Sequence, residues 1–228
     1  MPEIDRSLRD SVNLRRNLIH CARRLTETGL TKNTTGNLSH RVEGGLLVTP
    51  TGMDYDRLEP DDIVFVAMDG TPTGRRLPSS EWRFHRDILL ERPEVAVVLH
   101  AHAPFATSLA CLREGIPAFH YMVAVAGGAD IRCAPYATFG TAELSAHAVA
   151  ALSGRRACLL ANHGMIALGH DFDRALKLAV EIEALAEMYW RARQIGAPVI
   201  LDDDEMARVI EKFRTYGKQP PLLDAVVE

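Results

Sequence analysis

The run Val95-Ala96-Val97-Val98-Leu99 leads directly into His100-Ala101-His102, and Pro104 closes the segment. Consecutive apolar residues bounded by a proline read as a compact strand. A chain built around such a strand must supply partner strands and covering helices. The flanking sequence offers both. Helical spacing of Leu8, Val12, Leu18, Ile19, Ala22 and Leu25 predicts a helix that Gly29 ends. Further helices are expected from Ser79 to Leu90, from Pro104 to Leu112, from Thr141 to Leu152, from Asp171 to Ile195, and from the acidic group Asp202–Glu205 to Gly217. Short β-type runs lie at Leu46–Thr49, Ile63–Val66, Met122–Ala126 and Ala157–Ala161, while residues 31–45, rich in Thr, Asn and Gly, read as loop and turn. Ser79 or Ser80 is available to cap its helix, with Glu81 in the first turn.

These elements make a mixed or antiparallel sheet flanked by helices. With 228 residues, 47% of them hydrophobic, and no repeat or long linker, the expectation is one α/β domain over 1–228, with 218–228 as a mobile tail. No run of about eighteen apolar residues is present, and the N-terminus lacks the apolar core of a signal peptide, so a cytoplasmic chain is expected. A net charge of −4 gives no reason to expect nucleic acid, and the basic pairs Arg23-Arg24, Arg75-Arg76 and Arg155-Arg156 read as solvated surface. Cys21, Cys111, Cys133 and Cys158 have no Cys-x-x-Cys spacing and read as reduced structural residues.

Chemistry enters at the histidines. In an extended segment residues i and i+2 share a face, so His100 and His102 can converge on one divalent ion. His163 follows a second apolar strand and precedes Gly164, whose missing side chain lets a loop approach a ligand closely. An isolated His-x-His pair is a common and weak signal, and spacing alone cannot bring His163 to it. The other six histidines have no such arrangement and read as surface or satisfied core.

The order of motifs adds what spacing lacks. Thr35-Gly36-Asn37-Leu38-Ser39, Thr49-Pro50-Thr51-Gly52, Ser79-Ser80-Glu81, His100-Ala101-His102 and Asn162-His163-Gly164 together resemble the class II aldolase/adducin family. The likeness is greatest to the branch that cleaves L-fuculose 1-phosphate. It extends through Ile116–Met122, Cys133–Thr141 and Glu211–Gly217 and covers roughly residues 10–217. The resemblance implies a three-layer α/β/α fold around a mainly antiparallel sheet, in a homotetramer with active sites between subunits. It implies a divalent ion, Zn²⁺ foremost with Mn²⁺ or Co²⁺ as alternatives, held by His100, His102, His163 and Glu81.

The implied reaction breaks the C3–C4 bond of a ketose 1-phosphate, giving dihydroxyacetone phosphate and an aldehyde. The dication stabilises the enediolate that cleavage leaves, and Glu81 exchanges the C3 proton. Gly36, Asn37, Thr51, Gly52, Ser79 and Ser80 are the implied phosphate donors, and a helix opened by the serine pair would add its free N–H groups. Tyr121 is the implied proton donor to the aldehyde-side alkoxide, Tyr216 a second donor or lid reaching a neighbouring subunit, and Phe139 a lining residue on the aldehyde side.

Other members of the family catalyse 4-epimerisation or dehydration, or serve as adducin-like contact modules. The three histidines disfavour the contact module. The absence of any carboxylate from His120 up to Asp130 favours an aldolase over the epimerases and dehydratases. The leading expectation is an L-fuculose-1-phosphate-type aldolase. The alternative acts on 5-deoxyribulose or 5-methylthioribulose 1-phosphate, and the two differ only at the aldehyde end.

Overall fold

Alternating segments of strand and helix fold into three layers. The computed structural model describes residues 9–215; Leu8, Tyr216 and the 218–228 tail lie outside them. An eight-stranded sheet runs in the order β4-β3-β2-β1-β5-β8-β7-β6. Its strands are β1 (Asn37–Val42), β2 (Gly45–Val48), β3 (Val64–Ala67), β4 (Pro72–Thr73), β5 (Val97–Ala101), β6 (Cys133–Ala134), β7 (Ala157–Leu160) and β8 (Gly164–Gly169). Every neighbouring pair is antiparallel except β6 with β7.

The helices are α1 (Val12–Glu27), α2 (Trp82–Glu91), α3 (Pro104–Cys111), α4 (Ala142–Ala151), α5 (Phe172–Ile195) and α6 (Asp203–Phe213). Alternation along β5 sorts the core. Val97, Leu99 and Ala101 face the apolar residues of α1, α3 and α5, whereas Val98 faces those of α2 and α4. His100 follows Val98 by two residues and therefore points toward the α2 side.

Local signals hold where side chain and backbone agree. Ser11, Thr141, Asp171 and Asp202 each accept a backbone N–H as the cap of α1, α4, α5 and α6, respectively. Gly29, with φ of +76°, follows the end of α1.

Four local expectations change. The 31–45 segment contains β1, because Leu38 and Val42 are buried and the strand pairs with both β2 and β5. The Gly164–Gly169 run forms β8, a central strand that the glycines obscured. Met122–Ala126 belongs to a 3-10 helix, Tyr121–Ala126, capped by the His120 side chain. Finally, α2 begins at Trp82: Glu81 is its N-cap residue without a side-chain cap bond, and Ser79 Oγ accepts only from Glu81 N. The serines thus lead into the helix without capping it.

All four cysteines are free, with Cys21 and Cys158 buried and Cys111 exposed. No helix among the described residues is long and apolar enough to cross a membrane.

Candidate functional site

Three neighbouring strands build the site. Asn37 on β1 pairs directly with His100 on β5, so their side chains lie on one face of the sheet. His102 follows β5, and His163 sits in the tight connection from β7 to β8. In that connection Leu160 pairs with Gly164, and Asn162 takes a left-handed conformation with φ of 54°. The spacing of about sixty residues is closed by antiparallel pairing of β5 with β8. Gly164 is required by crowding: a Cβ there would lie 2.5 Å from the Ala101 carbonyl and 3.0 Å from His102 Cδ2. Gly36 is required twice over, by a φ of +79° and by a Cβ position 2.8 Å from the His100 carbonyl. Tyr55 Oη donates to the Gly36 carbonyl at 2.7 Å and steadies that loop.

The ligand atoms of His100, His102 and His163 all lie within 4.8 Å of one another. Their rings are 4.8–5.1 Å apart, with interplanar angles of 66–76°. His100 Nδ1 faces the Met165 carbonyl at 2.9 Å. A carbonyl only accepts, so this nitrogen carries the proton and Nε2 keeps its lone pair. Burial lowers the His100 imidazole to about 3 against the pull of Glu81, and burial also lowers His102. Both are therefore neutral bases at neutral pH.

Glu81 lies against the cluster, with Oε2 3.3 Å from His100 Nε2 and Oε1 3.1 Å from His163 Nε2. Burial pushes its carboxyl upward, but His100, His163 and the Asn37 amide outweigh that and hold it below the usual carboxylate range. Glu81 Oε1 is buried without a hydrogen-bond partner. The His100 and His102 Nε2 atoms meet at 3.0 Å. Acceptors converging without matching donors are what a cation compensates, so these residues fit a divalent ion.

A cavity of about 290 Å³ opens above them, lined by Gly36, Asn37, Thr51, Gly52, Ser79, Ser80, Glu81, His102, Phe139 and His163. Of the expected residues among those described, only Tyr121 is missing from this assembly. Tyr121 is half exposed and lines a separate cavity with Phe119, Leu201 and Phe213. Tyr216 lies outside the described residues. A larger opening of about 780 Å³, against Arg132, Tyr189 and Arg193, holds none of the converging histidines.

Two cavity residues were not singled out by the sequence, and a third lies behind the cavity wall. Tyr136 and Asn162 line the cavity; in the sequence each is only a member of a motif. His85 is a satisfied core histidine, one of the two expected alternatives: it is fully buried, its Nδ1 meets Ser39 Oγ and its Nε2 meets Asn37 Oδ1. Its i+4 spacing from Glu81 was the available signal.

The model of the class II aldolase and adducin N-terminal domain matches residues 16–190. The chain belongs to this family. It is 61% identical over 211 residues to a 5-methylthioribulose-1-phosphate/5-deoxyribulose-1-phosphate aldolase of Rhodospirillum rubrum, an alignment covering 92% of this chain and 96% of the relative. Against an L-fuculose phosphate aldolase of Escherichia coli K12 identity is 47% over 205 residues, covering 90% and 95%. A solved L-fuculose 1-phosphate aldolase superposes with a TM-score of 0.87 at 44% identity, covering 91% of this chain and 99% of that one. The chain is thus a class II aldolase, a carbon–carbon lyase with a potential metal site.

Proposed function

We propose that this aldolase cleaves 5-methylthioribulose 1-phosphate and 5-deoxyribulose 1-phosphate between C3 and C4. The products are dihydroxyacetone phosphate and a two-carbon aldehyde, bearing a methylthio group in the first case. The geometry that supports cleavage is the imidazole cluster with Glu81 beneath a cavity rimmed by amides and hydroxyls. The choice of substrate is carried by the 61% relative, against 47% for the fuculose-phosphate enzyme. That ranking reverses the order expected from sequence motifs, which are common to both branches and do not report on the aldehyde end.

In this reading His100, His102 and His163, with Glu81, hold the divalent ion, for which three imidazoles and a carboxylate suit Zn²⁺. When bound, the ion supplies Lewis-acid stabilisation of the charge left on the C2 and C3 oxygens. Glu81 takes and returns the C3 proton. Gly36, Thr51, Gly52, Ser79 and Ser80 donate to the phosphate, together with the Asn37 N–H that is not engaged with Glu81. Phe139 bounds the aldehyde side. Tyr121 serves from a neighbouring subunit, because within one chain it lines a different cavity: its phenolate takes the C4 hydroxyl proton as the bond breaks, and its phenol returns that proton to the aldehyde-side alkoxide in the reverse addition. This requires the homotetramer implied by the resemblance; a cytoplasmic location accompanies it.

The test is release of dihydroxyacetone phosphate from purified, zinc-loaded protein. The kcat/KM for the deoxy and methylthio substrates should exceed that for L-fuculose 1-phosphate by about 10- to 200-fold, the range set by a small change in an apolar pocket. Preference for L-fuculose 1-phosphate would restore the first expectation. No release from any of the three would reopen epimerisation and dehydration.

A further inference from the structure

His85 has no exposed surface and does not line the active-site cavity, yet both of its ring nitrogens are engaged, and Nε2 faces a residue that does line it. Ser39 Oγ lies 2.7 Å from Nδ1, and Nε2 meets Asn37 Oδ1. Asn37 Nδ2 in turn donates to Glu81 Oε2 at 2.9 Å. Ser39, equally buried, also lies away from the cavity.

The four side chains come alternately from two elements. Asn37 and Ser39 stand two apart on β1 and share a face, while Glu81 and His85 stand four apart at the start of α2 and share another. Two strand residues span about 6.7 Å and four helical residues about 6.0 Å. The rungs therefore match, and the side chains interleave in the order Ser39, His85, Asn37, Glu81.

Each joint has one workable polarity. The ionised Glu81 carboxylate only accepts, so Asn37 turns its N–H2 toward it and its oxygen away. That oxygen needs a donor, which makes Nε2 the protonated nitrogen of a neutral His85. Nδ1 then accepts, and the Ser39 hydroxyl donates. Burial keeps His85 neutral by lowering it to about 3.

We infer that His85, oriented by Ser39, is a positioning residue that locks the Asn37 carboxamide with its N–H toward Glu81 and thereby aims the Glu81 carboxylate at the imidazole cluster. Without the His85 donor the carboxamide is free to flip and set its oxygen against Glu81, an arrangement that a buried pair of acceptors penalises. The inference rests on the reading of Glu81 as a metal partner.

Chelator competition on the zinc-loaded full chain tests it without turnover. His85→Leu should weaken zinc retention about tenfold or more, the effect typical of groups that orient a metal ligand. His85→Gln, whose amide N–H2 reaches toward the place of Nε2, should stay within about threefold of the unaltered chain. Ser39→Ala should fall between them, and it carries the test if His85→Leu does not fold. In the proton exchange of dihydroxyacetone phosphate, kcat should fall with retention. Unchanged retention in His85→Leu, or in Ser39→Ala where the leucine variant does not fold, overturns the inference. So does an equal loss in His85→Leu and His85→Gln, which would mark packing alone. If retention separates the variants as stated while the unaltered chain releases no dihydroxyacetone phosphate, the relay stands and the aldolase reading falls.

Discussion

His100 has no exposed surface, whereas Tyr121 is 49% and Phe139 64% exposed, although all three are candidate site residues. The imidazole cluster rests on paired strands and is complete within one chain. The aromatic side chains stand on loops and a 3-10 helix, and their large apolar surfaces have little cover from their own chain. A buried polar cluster must be satisfied by its immediate neighbours or by an ion, because desolvation leaves no other source of partners. Exposed aromatics carry no such requirement and can be completed by substrate or by a second copy of the chain.

Substitutions break this contrast in graded steps. His100→Ala should have the largest effect, abolishing stoichiometric zinc and lowering cleavage by about 1000-fold, as loss of several kcal/mol of charge stabilisation requires. Full metal content by elemental analysis would sink the buried cluster as the metal centre. Glu81→Gln should suppress C3 proton exchange of dihydroxyacetone phosphate by roughly 100-fold or more, the lower bound for a positioned base. Unchanged exchange removes Glu81 from that role.

Tyr121→Phe should slow cleavage by only about 10-fold, below the usual range for a positioned donor, since a water molecule can take the place of the missing hydroxyl. Its exchange reaction, which needs no aldehyde, should be unaffected; equal loss in both reactions would place Tyr121 in the buried group's chemistry. The smallest effect separates burial from catalysis. Asp62 is as buried as the imidazoles but meets only Arg75, Arg76 and the Glu59 N–H. Burial pushes its carboxyl up, and those donors more than reverse this, to about 2. A carboxyl lowered in the folded state stabilises the fold above its unfolded value of about 3.9 and loses that contribution as pH falls through about 2. Asp62→Asn should flatten the acid limb of thermal stability without changing kcat at neutral pH. A parallel acid limb in both proteins would overturn the assignment.

How legible each part was follows from the range of the forces that make it. The cap at Thr141 and the helix starts at Asp171 and Asp202 were readable because each side chain bonds its own next turn. The end of α1 at Gly29 was readable for a similarly local reason. β1 was hidden by its polar residues: Asn37, Ser39 and His40 look like loop, and only tertiary packing makes them buried partners, Asn37 and Ser39 against His85 of α2 and His40, on the other face, against Phe172 of α5. The 3-10 helix at Tyr121–Ala126 was hidden because a short apolar run does not distinguish it from a strand. Of the metal site, the i, i+2 relation of His100 and His102 was readable from period two, whereas Glu81 and His163 entered through resemblance.

By itself the sequence determined the succession of the helices, the shared face of His100 and His102, and membership of a family of metal-using aldolases. These depend on covalent spacing and on side-chain chemistry that acts within a few residues. Tertiary structure alone decided that His163 closes on the pair, that Glu81 lies between two imidazoles, that His85 stands behind Asn37, and that Tyr121 faces elsewhere. Those relations depend on the pairing of β5 with β1 and β8 and on the packing of α2 against them. Pairing and packing are selected by burial of the whole apolar surface, and no local stretch of residues encodes them.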